Sequence, residues 1–320
     1  MNVDARPRVT VCVATYNQAP YIERCVASVL EQAGEFELEV LVGDDGSKDN
    51  TGDVLEALLA RTPGAFTLVR RPANIGGTQN YQNIVARASG DFIAHLDGDD
   101  AWLPGKLDAQ LRFLVAHPQC PAVYCNAKVV DNSGRTIASF TNTQPPLIDL
   151  AHLAAKGNFL MHSSLVYRAR HRDAFLALAP PVIDWRIHLA LACLGPLGFI
   201  NEPLALYRHA TETSTVRNAF PWVQRLLWEA LRDVLAELPP EERTRAVAHF
   251  AAGIVLAGLR GKAGGAGSLL DEAALAVGLS RNALIARSAP AAAAIVAHQV
   301  SKKFAALTAR PSDVALHARI

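Results

Sequence analysis

In Gly90-Asp91-Phe92-Ile93-Ala94-His95-Leu96-Asp97-Gly98-Asp99-Asp100, an apolar run stops in three closely spaced carboxylates, Asp97, Asp99 and Asp100. Carboxylates this close repel one another unless a proton or a cation intervenes. A hard divalent ion, Mg²⁺ or Mn²⁺, shared with the phosphates of a substrate would relieve that repulsion and give the cluster a chemistry. The plain alternative is an acidic surface turn that caps the following helix. Other stretches carry similar potential: the polar turn Thr15-Tyr16-Asn17, the acidic pair Asp44-Asp45 before Gly46-Ser47, the loop Asn74-Ile75-Gly76-Gly77, and Asp184 ahead of an apolar helix.

The surrounding pattern predicts how these stretches are held. Val9 to Ala14, Leu38 to Val42, Phe66 to Val69 and Phe92 to Leu96 are short, β-branched or apolar runs that read as strands. Helices are expected between them, after Pro20, over Asp53 to Leu59 and up to Ala88, the first with apolar residues at Ile22, Val26, Val29 and Leu30. Four strand–helix alternations imply a mainly parallel, doubly wound, Rossmann-like sheet with right-handed crossovers. In such a sheet ligands bind at the carboxyl ends of the strands, where Tyr16, Asp44, Asp45, Asn74 and Asp97 to Asp100 would converge. Further on, Ala122 to Cys125 reads as a strand, Asp131 to Gly134 as a turn between strands, Phe159 to Ser164 as the entry to a strand through Tyr167, and Leu204 to His209 as a strand. Trp102-Leu103-Pro104 leads into a helix with Lys106 near the site and Leu107, Leu111, Leu114 and Val115 buried.

At 320 residues with half of them hydrophobic, the chain suits one α/β unit with a smaller appended one. Net charge is +1, which offers no electrostatic case for nucleic acid. Residues 241–320 carry 10 Lys+Arg against 5 Asp+Glu, leaving 21 against 25 for the rest, so the tail is mildly basic. That is compatible with an anionic membrane surface and with an ordinary solvated face. The five cysteines are scattered without zinc spacing, the start is polar, and no uninterrupted apolar run reaches the ~18 residues of a membrane span, so a reducing cytoplasm is expected. A dehydrogenase is excluded because no Gly-x-Gly-x-x-Gly follows the first strand.

Val13 to Asn17, Asp44 to Thr51, Asn74-Ile75-Gly76 and Ala88 to Asp100, in this order, resemble a family 2 inverting glycosyltransferase of the GT-A fold. The likeness covers about residues 8 to 210. It implies a catalytic domain over 1–218, with a nucleotide-sugar half at 8–100 and an acceptor half at 101–218, followed by a helical C-terminal extension at 219–320. A sugar-nucleotide donor presents a flat base, a ribose, a diphosphate and a hexose. Ala14, Thr15, Tyr16, Asn17, Asp44, Asp45, Asn74, Asp97 and Gly98 would line the nucleotide, Tyr16 through its aromatic face and Asp45 through a hydrogen bond from a uracil-type imide. Alternatively, Tyr16 packs in the core and the two acids cap the next helix. Relatives carry an Ala-Arg-Asn before the helix where this chain has Asn80 and Tyr81, so that contact differs here.

By the same resemblance Asp99 would ligate Mn²⁺ or Mg²⁺ bridging the phosphates, and His209, in a Tyr-Arg-His run close to the family's, would complete the metal shell or stay an ordinary surface histidine. Asp184, before Trp185, matches the family's catalytic base and is also placed as a helix N-cap. Asp100, Trp102, Lys106, His162, Ser163, Trp185 and Arg208 would line the donor and acceptor pocket, with His162 equally readable as a structural histidine. The implied reaction is metal-dependent transfer from a nucleotide-diphosphate sugar, UDP favoured, to a glycan or lipid-linked acceptor in polysaccharide or glycoconjugate synthesis. A nucleotidyltransferase would need a basic, glycine-rich loop after the first strand, which Ala14 to Gln18 lacks, and a non-catalytic sugar-nucleotide-binding assembly subunit would not need Asp45, Asp99 and Asp184 together. After Phe220 the chain reads as helices: Trp222 to Leu238, a second through Leu259, a hinge at Gly261 to Gly267, then Ser268 to Val277, Arg281 to Arg287 and Ala291 to Leu307. These would pack on the catalytic domain, pair two copies, or rest peripherally on the inner face of a membrane.

Overall fold

The computed structural model describes residues 6–209, 220–260 and 267–308. Four parallel strands, β1 (Arg8–Thr15), β2 (Glu37–Asp44), β3 (Thr67–Arg70) and β4 (Phe92–Asp97), alternate with α1 (Ile22–Leu30), α2 (Thr51–Arg61) and α3 (Gly77–Val85). Beyond them come β5 (Ala101–Trp102), α4 (Lys106–Ala116), β6 (Ala122–Val130), β7 (Thr136–Ser139), β8 (Leu147–Ile148), α5 (Leu150–Lys156), β9 (Val166–Arg168), α6 (Asp173–Leu176), α7 (Asp184–Ala192) and β10 (Leu197–Arg208). The strands join in the order β3-β2-β1-β4-β9-β6-β10-β5, with β7 on β6 and β8 on β10. β9 runs antiparallel to both β4 and β6, so it splices the parallel half to the parallel pair β6 and β10.

The parallel strands are apolar on both faces because helices cover both. Val9, Val11 and Val13 of β1 pack with Val40 and Val42 against Ile22 and Val26 of α1, Leu55 of α2 and Leu107 and Leu111 of α4. On the other face Cys12, Leu41 and Ile93 meet Tyr81, Ile84 and Val85 of α3. Each such fully buried aliphatic side chain contributes roughly 1.5–3 kcal/mol relative to exposure. This second core continues into the C-terminal helices α8 (Phe220–Val234), α9 (Pro240–Leu259), α10 (Gly267–Ala276) and α11 (Arg281–Thr308), where Trp228, Leu231 and Phe250 pack with Leu153 of α5 and Leu189 of α7.

Three local expectations shift. His162–Ser164 form a 3₁₀ turn before β9, since Ser164 bonds back to the Met161 carbonyl through both its amide (3.0 Å) and its hydroxyl (2.8 Å). Arg281 to Arg287 and Ala291 to Leu307 are one helix running through Pro290. The alanine-rich flanks hold it, and the carbonyl that Pro290 leaves without a donor belongs to exposed Ala286. Its stretch Arg281–Val300 is long and apolar enough to cross a membrane by length and composition, with 11% of it buried, although Arg287 interrupts the apolar run. The expected hinge at 261–266 and the polar stretch Ala210 to Thr215 lie outside the described residues.

Candidate active site

Period-two alternation decides which side chains turn to which side of the rim. Ala14, Val69 and Ile93 belong to the α3 face, and Val13, Val42, Leu68 and Leu96 to the opposite one. By the same alternation His95 and Asp97 share the α3 face, and the two acids at the end of β2, Asp44 and Asp45, part company. Asp44 turns inward, fully buried, with Oδ1 accepting from the Ser47 amide (3.1 Å) and hydroxyl (2.5 Å) and Arg70 Nε 3.8 Å from Oδ2. Asp45 accepts from the Ile75 amide on Oδ1 and the Gly76 amide on Oδ2, both at 2.9 Å, and is 1% exposed. The Asn74 side chain also accepts from the Gly76 amide at 3.1 Å. The 74–76 loop therefore folds over Asp45, and Gly46, at φ +69°, permits the approach because a Cβ there would sit 2.6 Å from the Ala73 carbonyl carbon.

The turn after β1 is tied to the same strand end. Asn17 adopts φ 53°, donates its amide to the Ser47 hydroxyl (2.9 Å) and accepts the Lys48 amide on Oδ1 (2.8 Å). Thr15 is buried, with its hydroxyl on Gln18, and Gly98 lies so close that a Cβ would meet Thr15 Oγ1 at 2.6 Å. Asn17 and Thr15 are thus framework, while Ala14 and Tyr16 remain half-buried at the rim.

In the β4 cluster Asp97 keeps its side chain 44% exposed. Oδ1 lies 3.0 Å from His95 Nε2 and Oδ2 3.1 Å from the Ser163 hydroxyl. Burial pushes its carboxyl up, but His95 and Ser163 outweigh that and hold it below the ordinary aspartate range. Asp100 turns the other way. Its Oδ1 accepts the Arg208 amide (2.9 Å), its Oδ2 lies 2.6 Å from the Ser163 hydroxyl, and burial, then the charges of Asp99 and Asp97, push it well above the usual range. Asp99 is half-buried at the tip of the turn, and its carbonyl accepts from Arg208 Nε at 3.2 Å. The Arg208 guanidinium also reaches the Asp131 carbonyl (3.0 Å) and lies over the Tyr21 ring (4.3 Å), so it staples β10 to the acidic turn. His209, the next residue, is exposed.

The oxygen chemistry of the acidic turn is of the kind a hard divalent ion takes. Asp97 and Asp99 are half-buried carboxylates at the strand end, Asp100 is committed inward, and no group of three metal-ligating side chains occurs among the described residues. An ion with so few protein ligands takes the rest of its shell from water and substrate phosphates, as Mg²⁺ and Mn²⁺ do.

Asp184 is the first residue of α7; Ile183 holds the N-cap position and no side-chain capping bond is made. The residue is exposed, yet the protein crowded around its carboxyl pushes it up to about 6, with the Asp97 charge adding and His95 opposing. Trp185 is buried beneath it. Lys106 and Trp102 do not reach the cleft: both are buried, with Lys106 Nζ on Gln110 Oε1 at 2.6 Å and 3.9 Å from the Trp102 ring center, and burial lowers Lys106 to about 8. Two further residues stand at the site. His95 grips Asp97. Arg71, whose Nε donates to the buried Asn80 (3.1 Å), keeps Nη2 buried without a partner beside the β2 end. His95 was within reach of the period-two rule, two positions before Asp97; Arg71 had no such signal.

The profile described as Glycosyl transferase family 2 matches residues 10–177. An uncharacterized protein of Mycobacterium tuberculosis is 30% identical over 206 residues, covering 62% of this chain and 58% of its own length, so the match spans little more than half of that relative. The hyaluronan synthase of Pasteurella multocida is 28% identical over 208 residues, 61% of this chain and 20% of the synthase. Among solved structures, S. aureus TarS 1–349 in complex with UDP-GlcNAc superposes with a TM-score of 0.65 at 17% identity, covering 92% of each chain. The mannosyltransferase PcManGT of Pyrobaculum calidifontis, in complex with GDP-Man and Mn²⁺, gives 0.52 at 22% identity over 94% of this chain and 81% of that one. The two structural likenesses establish a GT-A fold, and with a family profile spanning more than half of it, the chain belongs to glycosyl transferase family 2.

Proposed function

We propose that this chain is a metal-dependent inverting glycosyltransferase that moves a sugar from a UDP-sugar to a hydroxyl of a glycan or lipid-linked acceptor. One observation carries the reading: Tyr16, Asp45, Asp97 and Asp99 stand at the ends of three neighbouring parallel strands, and Asp184, the first residue of α7, lies near enough to Asp97 for that charge to help raise its carboxyl. Tyr16 supplies a face for the base and Asp45 an acceptor for its imide N–H, reached when the 74–76 loop yields its two amide bonds. Asp97, held by His95 and Ser163, accepts from ribose or sugar hydroxyls. Asp99, with His209 alongside, would hold Mn²⁺ or Mg²⁺, which neutralises charge on the departing nucleoside diphosphate. Asp184 takes the proton of the attacking hydroxyl, and its raised pKa suits a base working near neutrality.

The net positive charge of residues 241–320 and the exposed apolar positions Val296 and Val300 of α11 support a peripheral seat on the cytoplasmic face of an anionic membrane, where a lipid-linked acceptor is found. The donor assignment is tested by calorimetry with UDP-, GDP- and dTDP-sugars, each with Mn²⁺ and with EDTA. Mn²⁺-dependent binding of a UDP-sugar that Asp99→Ala abolishes is expected; equal binding in EDTA would refute the metal role.

A further inference from the structure

Behind Asp97 lies a file of imidazoles that its own hydrogen bond to His95 does not explain. The His162 ring lies against that of His95, centroids 4.0 Å apart, and its Nδ1 is 3.2 Å from His188 Nε2. His188 Nδ1 is in turn 3.1 Å from Asn158 Oδ1. All three rings are buried, His188 completely. Burial keeps His162 and His188 neutral, with His188 lowered to about 3. Each neutral ring therefore carries one proton, and the chain of bonds decides where. An amide oxygen only accepts, so His188 must carry its proton on Nδ1. Its Nε2 is then an acceptor, and the proton between the two rings must sit on His162 Nδ1. What remains is His162 Nε2, a bare lone pair. No protein group among the described residues is hydrogen-bonded to it, and it is absent from the buried unpartnered atoms.

The position of that lone pair gives it a use. His162 precedes Ser163, which holds Asp97, while His188 stands one helical turn after Asp184 on the same side of α7. His162 is thus tied on one side, through His95 and Ser163, to the carboxylate proposed to meet the ribose or sugar, and on the other, through His188, to the helix that opens with the carboxylate proposed as base. A bare imidazole nitrogen there accepts from an O–H donor such as a sugar hydroxyl and offers no proton to a phosphate or a carbonyl.

We propose that Asn158 and His188 are positioning residues that lock the tautomer of His162, so that its Nε2 accepts a hydrogen bond from a hydroxyl of the transferred sugar and helps to select the donor. The inference rests on the glycosyltransferase reading for its ligand but not for its tautomers. Two-bond ¹H–¹⁵N correlation spectra of the full chain with ¹⁵N-histidine decide the first part: His162 and His188 are both expected with protonated Nδ1 and bare Nε2. A His162 protonated on Nε2 overturns the proposal. Titration with Mn²⁺ plus UDP and then Mn²⁺ plus UDP-GlcNAc decides the second. The Nε2 resonance should move with UDP-GlcNAc and stay with UDP; movement equal for both overturns the sugar contact. Asn158→Leu should weaken UDP-GlcNAc about five- to tenfold, the worth of one hydrogen bond, and leave UDP within twofold. Equal weakening of both marks a merely structural role and refutes it. If wild-type protein binds neither ligand while the tautomers are as stated, it is the donor reading that has failed.

Discussion

Removing the Ser163 hydroxyl tests how the acidic turn is held. That oxygen is buried and has three polar neighbours: the Asp97 amide (3.1 Å), Asp97 Oδ2 (3.1 Å) and Asp100 Oδ2 (2.6 Å). One hydroxyl proton cannot serve two carboxylates, so a second proton must lie on one of them. Asp100 is the one, being buried and pushed well above the usual range. A neutral Asp100 then donates to Ser163 Oγ, the Asp97 amide donates to the same oxygen, and the hydroxyl donates to Asp97, which uses one donor and both lone pairs. Ser163→Ala leaves the Asp100 hydroxyl without an acceptor in a buried place and loosens an Asp97 that water still reaches. At roughly 1–3 kcal/mol for a stranded buried group and about 1 kcal/mol for a wetter bond, the loss should total about 2–4 kcal/mol. Urea unfolding should show it as a lower midpoint at unchanged slope. A change under about 0.5 kcal/mol would refute the shared-proton scheme. The companion Asp100→Asn keeps both bonds, through its oxygen and its NH₂. Because the raised pKa of Asp100 means that its contribution is lost as pH rises through that value, wild type should lose stability on the alkaline side while Asp100→Asn does not.

Other expectations follow from the same geometry. Asp184, raised to about 6, must be deprotonated to act, so kcat/KM should fall as pH drops through about 6; a profile flat from pH 5 to 8 would contradict the base assignment. Since its folded pKa lies above the unfolded value, its stabilising contribution is present at low pH and lost as pH rises through about 6, and Asp184→Asn should melt higher than wild type at pH 8. Binding of UDP with Mn²⁺ should change hydrogen exchange at the Ile75 and Gly76 amides, which now bond to Asp45; unchanged protection would mean that the base does not reach Asp45. Vesicles containing anionic lipid should sediment the chain and neutral vesicles should not, with Val296→Glu/Val300→Glu abolishing the difference; equal recovery from both would remove the membrane seat.

Much of the sheet was legible because its strands are buried on both faces and so read as continuous apolar runs. β1, β2 and β4 begin or end within one or two residues of their expected limits, and β3 is displaced by one, to Thr67–Arg70. The rim was legible for the same reason, since a parallel sheet puts its carboxyl ends together. What periodicity does not contain is direction within a turn. Asp44 and Asp45 look equivalent until the strand's alternation sends one under Ser47 and the other under the 74–76 loop. Asp99 and Asp100 divide likewise, one at the tip and one against Ser163. Lys106 looked like a site residue, yet Gly105, with φ 82°, turns the chain so that Lys106 opens α4 pointing inward to Gln110. The imidazole file was beyond reach, because Asn158 after α5, His162 in the 3₁₀ turn before β9 and His188 in α7 are brought together only by the tertiary fold, and no local pattern links them.

The most direct measurement is turnover by Asp184→Asn at matched donor occupancy. With Mn²⁺ and the UDP-sugar that binds the wild type, calorimetry should give an affinity within about twofold of it, while release of UDP falls by a factor on the order of 10² or more, the typical worth of a general base. Release of UDP at the wild-type rate under those conditions would contradict the account.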